Sequence, residues 1–94
     1  MKMEITLSEI QIIPVRPRDG LLAFCTFVVN NSFYCADIAI HSRLDGEGYR
    51  LSYPSKTLIN KTRIQIFNPI NKQVAQAIEE QVVKKYLALI QRAE

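Results

Sequence analysis

The chain has little of what catalysis or membrane insertion requires. In 94 residues it carries one histidine, His41, two cysteines, Cys25 and Cys35, and three glycines. The lone histidine has no carboxylate or cysteine at metal-ligand spacing, so it offers no zinc site and no evident acid-base pair. It reads as a surface residue on an open sheet face. The glycines fall in turns and form neither a GxGxxG pattern nor a phosphate loop. A nucleophile, an acid and a base cannot be named together, and no catalytic residue, metal ligand, cofactor or small-molecule substrate is assigned.

Long apolar runs are lacking too. Leu21 to Val29 is broken by Thr26 and closed by Asn30-Asn31, well short of the roughly 20 residues a spanning helix takes. Met1-Lys2-Met3-Glu4 leads into alternating polar and apolar residues, with no uninterrupted apolar segment and no small-residue cleavage site. The expectation is a cytoplasmic protein that does not engage the membrane.

What is present suits one small globular domain over residues 1–94. The apolar fraction is an ordinary 48%, enough for one modest core. Ile5, Leu7, Ile10 and Ile12 alternate with polar residues but slip phase after Leu7, which predicts a β-bulge near Ser8-Glu9. Pro14 and Pro17 are expected to end that strand, and Arg18-Asp19-Gly20 to turn the chain. Leu21 to Val29, apolar on both faces, reads as a central strand. Asn30-Asn31 suits a two-residue type I′ turn, where both positions need positive φ.

In the return strand, Tyr34, Ala36, Ile38, Ile40 and Leu44 are expected on one face. Cys35, Asp37, Ala39, His41 and Arg43 fall on a wetter one. With a two-residue turn, Cys25 faces Ala36 and Cys35 faces Thr26, so the thiols point to opposite sides. Buried free thiols are expected rather than a disulfide. Asp37, an acid within a strand, reads as solvated on the open face, the sharper alternative being a polar contact at a subunit interface.

Asp45-Gly46-Glu47-Gly48 turns the chain again. Tyr49, Leu51 and Tyr53 then share one side of a strand that Pro54 stops. Ser55 to Thr62 reads as a polar, basic loop, and Arg63 to Phe67 as a short edge strand. Asn71 is placed to cap a helix. From Lys72, the positions Val74, Ile78, Val82, Tyr86, Leu89 and Ile90, joined by Ala75, form one helical stripe opposite Gln76, Glu80, Lys84 and Gln91. The predicted fold class is α+β: an antiparallel sheet of four to five strands over 4–67, packed by one C-terminal amphipathic α-helix over 71–92.

The net charge of +3 is unevenly spread. Residues 1–40 sum to −1 and residues 71–94 to +1, whereas 41–70 carry +3, with Arg43, Arg50, Lys56, Lys61 and Arg63 against Asp45 and Glu47. Such an excess points weakly toward a polyanion. Lys56, Lys61 and Arg63 lie around one loop beside the helix start, whose free amides also favour phosphate oxygens. Tyr49 and Tyr53, if outward, would offer rings for bases to stack on. If inward, they are core beneath the helix, a reading favoured by Leu51 between them. Glu79 and Glu80 are taken to solvate the helix, with Lys84 in pairing distance of Glu80.

Several short elements occur together in order: Glu4-Ile5-Thr6, Asp19-Gly20, the Phe33 to Ile38 strand with Asp37-Ile38, Pro54-Ser55-Lys56, and Asn68-Pro69-Ile70 opening the helix. In that order the chain resembles the stage V sporulation protein G (SpoVG) family of septation regulators. It departs in having Asn68 where the family has histidine, and Thr57 where a further basic residue is common. The resemblance implies an antiparallel sheet with a C-terminal helix, dimers formed through strands, no enzymatic activity, and DNA or RNA binding in a regulatory role tied to cell division and sporulation. Joined to the charge pattern, it marks Lys56, Lys61 and Arg63 as nucleic-acid contacts, with Arg50, Lys72, Lys84 and Lys85 as secondary phosphate contacts. The alternative is a non-catalytic module that recruits a protein partner through its sheet edge.

Overall fold

The computed structural model describes residues 5–44 and 48–92, so the turn expected at Asp45-Gly46-Glu47 lies outside the described residues. Four strands, β1 (Leu7–Arg18), β2 (Leu21–Val29), β3 (Phe33–Ser42) and β4 (Tyr49–Ser52), form one antiparallel sheet in chain order. Two short strands, β5 (Ser55–Thr57) and β6 (Arg63–Gln65), pair only with each other. The helix α1 (Lys72–Arg92) covers one face of the larger sheet. The fold is α+β.

The bulge expected near Ser8-Glu9 is present. The β1–β2 register slips between Ser8 and Gln11, and Glu9 takes φ 51° to absorb the extra residue. Leu7, Ile10 and Ile12 thereby all reach the core side. The prolines do not end β1 as expected. Pro14 pairs with Ala23 and the strand runs on to Arg18 through a second irregularity. β1 is an edge strand, where a residue without an N–H leaves no ladder bond unmade. Asp19 (φ 52°) and Gly20 (φ 88°) then make the turn.

The next hairpin corrects the cysteine geometry. Asn30 and Asn31 do take positive φ, 48° and 54°, and the Ser32 N–H donates to the Val29 carbonyl at 2.9 Å. The first pair beyond the turn, however, is Val29 with Phe33, so the loop holds three residues. Cys35 therefore lies opposite Phe27, on the same face as Cys25, and not opposite Thr26. Both thiols are buried and free.

A second bulge follows, where two residues of β3, Ala36 and Asp37, oppose one of β2, Thr26. Asp37 stands in it at φ 61°, a conformation that aspartate tolerates better than most residues. The bulge reverses the phase of β3, so Cys35, Ile38 and Ile40 all enter the core while Tyr34 is left outside. Leu44, expected on the apolar face, lies beyond the strand end and is exposed.

Phe27, Cys25, Ile38 and Ile40 of the sheet pack against Ile78, Val82 and Tyr86 of α1. The helical stripe read from the sequence is thus the buried one, apart from Leu89, which stays exposed. Asn71 caps the helix as expected, its Oδ1 accepting from the N–H groups of Gln73 (2.7 Å) and Val74 (3.3 Å). Among the described residues no helix is long and apolar enough to cross a membrane.

Candidate nucleic-acid interface

Pro54 ends β4, and the following segment is not the loop the sequence suggests. Ser55 pairs with Gln65, Lys56 with Ile64 and Thr57 with Arg63, so the chain forms a two-stranded ribbon. The strand expected over Arg63 to Phe67 is shortened to Arg63–Gln65 and belongs to this ribbon, not to the edge of the main sheet. The ribbon is closed by backbone bonds from Leu58 N to Thr62 O (2.8 Å) and from Lys61 N to Leu58 O (2.9 Å). The Asn60 side chain accepts from Thr62 N at 3.0 Å. At its base, Ile66 N donates to Pro54 O, and Phe67 meets the Tyr53 ring edge-on at 5.7 Å.

Facing residues of a ribbon share a side and neighbours alternate. Ser55, Thr57, Arg63 and Gln65 therefore form a polar side, where the Arg63 Nε donates to Ser55 Oγ at 2.8 Å. Lys56 and Ile64 lie on the other. Lys61 is in the tip at φ 69°. The three primary cations are thus gathered on one projection, but Lys56 and Arg63 emerge from opposite sides of it.

The secondary cations are dispersed. Arg50 stands on β4 across from His41, on the sheet face away from the helix. Lys72 opens α1, while Lys84 and Lys85 lie exposed farther along the helix. Tyr49 and Tyr53 point inward: Tyr49 packs edge-on against Tyr86 at 5.3 Å, and burial pushes the Tyr53 hydroxyl well above its ordinary pKa. They offer no stacking platform. His41 is half-buried, with its Nδ1 enclosed and unpartnered, and desolvation followed by the Arg50 charge lowers its pKa.

Two polar contacts fall outside what the sequence reading anticipates. Arg43 reaches Glu79 at 2.8 Å, tying the end of β3 to the helix. Gln81 bridges the helix to the start of the first strand, with Oε1 accepting from Leu7 N (3.0 Å) and Nε2 donating to Ile5 O (2.8 Å). Gln81 sits next to Val82 at the margin of the apolar stripe, the one signal that it faces protein rather than water.

The electrostatics of the ribbon follow from what surrounds it. Between Gly48 and Ile78 there is no aspartate or glutamate, whereas Arg50, Lys56, Lys61, Arg63 and Lys72 all fall in that span. The first turn of α1 also lacks an acid. Fold and site together define a two-layer α+β domain bearing a basic β-ribbon. The chain belongs to the SpoVG family, whose family model matches residues 3–88. No curated protein matches it.

Proposed function

We propose that the protein is a non-catalytic, homodimeric regulator that binds DNA or RNA through the β5–β6 ribbon, in the septation and sporulation setting its family suggests. The observation that carries this reading is a projecting ribbon with Lys56, Lys61 and Arg63, in a span of sequence without a single acid. A two-stranded ribbon is narrow enough to lie along a nucleic-acid groove, and its cations would displace condensed counterions from phosphates. Membership of the SpoVG family supports the same reading.

Dimerisation is supported by the unequal edges of the sheet. The β1 edge is blunted by Pro14, Pro17 and the bulge at Glu9. Pairing is therefore expected on the β4 side, from which the ribbon leaves. Gel-shift titration against mixed DNA and RNA at two salt concentrations tests the binding. Affinity that falls steeply with salt is expected, and no shift at low salt would refute the reading. A protein-recruiting module is the second reading, favoured by the exposed Ile64 and Ile66 on the ribbon.

A further inference from the structure

The face of the main sheet turned away from α1 carries aromatic rings that neither the core nor the ribbon uses. Alternation along β2 sends Ala23, Cys25 and Phe27 into the core, so Phe24, Thr26 and Val28 point the other way. Phe24, 38% exposed, stands between Ile13 of β1 and Ala39 of β3. Tyr34, 73% exposed, stands beside Val28. The rows that hold the two rings are four residues of β2 apart, roughly 14 Å at the rise of an antiparallel strand. Thr26 and the bulge at Ala36-Asp37 lie between them. At the far edge of the same face, β4 presents Arg50 before the chain enters the ribbon.

We propose that this face holds a single-stranded stretch of nucleic acid, with bases stacked on Phe24 and Tyr34 and phosphates passing Arg50. The proposal rests on the nucleic-acid reading and names the class of strand that a second surface takes. A base lies flat on a side-chain ring only when its own face is free, and in a duplex both faces are taken by neighbouring pairs. The rings therefore select an unpaired strand, whereas cations that contact phosphate accept either kind. Two observations favour this occupant over a protein partner. The rings are separated by Thr26, Ala36 and Asp37, and do not merge into the contiguous apolar patch that a protein interface buries. Asp37, exposed in the bulge between them, repels phosphate but accepts a hydrogen bond from the amino group of a base such as cytosine. The strand is thus laid with its bases against the sheet and its backbone outward.

Fluorescence anisotropy with a mixed-sequence DNA single strand, and with the duplex of the same sequence, tests this for the wild type and Tyr34→Ala. One stacked base is worth roughly 5- to 150-fold in affinity. Tyr34→Ala is expected to weaken single-strand binding by a factor in that range. Duplex binding and the salt slope should stay as in the wild type, because no phosphate contact is lost. The unfolding midpoint should also hold, since the ring is largely solvated already. A second measurement needs no variant. Ultraviolet irradiation of the wild type bound to the single strand is expected to crosslink Tyr34 or Phe24, identified by the mass of the joined peptide. Unchanged single-strand affinity in Tyr34→Ala, an equal loss on the duplex, or crosslinks confined to the ribbon would overturn the proposal. Each would leave the nucleic-acid reading intact and turn this face toward a protein partner. A wild type that binds neither form would end both.

Discussion

Ile78 and Val82 carry the contact between helix and sheet, at 2% and 0% exposure. Truncating Ile78 to alanine removes buried methylenes and leaves a void beneath α1, a change that costs about 2–5 kcal/mol in close-packed cores. A clear drop in the chemical unfolding midpoint is expected, and an unchanged midpoint would mean that the helix does not rest on the sheet. The cysteines make a second case. Burial pushes the Cys25 thiol up to about 12 and raises Cys35 as well. A raised thiol pKa favours the neutral folded form, so its contribution is full below the ordinary value of 9.0 and is lost as pH climbs toward 12. Both thiols are expected to resist a thiol reagent until the protein is unfolded, and modification of the native protein at neutral pH would contradict their burial.

At the scale of elements, the helix start depends on one side chain. Asn71 satisfies two first-turn amides, and Asn71→Ala is expected to cost about 1 kcal/mol, read as a small fall in unfolding midpoint with nucleic-acid affinity preserved. The helix, its cap and its buried stripe are legible in the sequence because a 3.6-residue period survives along the whole element. So is the bulge at Glu9, where the apolar phase slips visibly. The bulge at Asp37 is not, because Tyr34, Ala36, Ile38 and Ile40 make an unbroken alternation that conceals it. The burial of Cys35 resolves the phase, and that depends on a third loop residue, Ser32, that no local rule demands. Pro14 misleads for a related reason: whether proline stops a strand depends on edge position, which is a tertiary fact. The ribbon is hidden since Ser55–Thr57 is short and polar, and its pairing with Arg63–Gln65 comes from chain reversal at Asn60-Lys61.

At the scale of the whole molecule, the basic residues divide into a concentrated group and a scattered one. Lys56, Lys61 and Arg63 ride on one ribbon, whereas Arg50 stands on β4 and Lys72, Lys84 and Lys85 are spread along α1. Their sequence positions reveal this division, whereas the pairing of β5 with β6, which sends Lys56 and Arg63 to opposite sides of the ribbon, is visible only in the fold. Glu79 is held by Arg43 on the helix side, so its reversal is expected to disturb a partly exposed ion pair worth under about 1 kcal/mol and to leave nucleic-acid binding alone. The most direct measurement is the salt dependence of duplex DNA binding for the wild type and for Lys56→Ala/Lys61→Ala/Arg63→Ala. Removing each phosphate-binding cation is expected to lower the magnitude of the log-log slope by roughly 0.9, with affinity weakened for every sequence alike. A triple variant that keeps wild-type affinity and slope would contradict the ribbon as the binding surface.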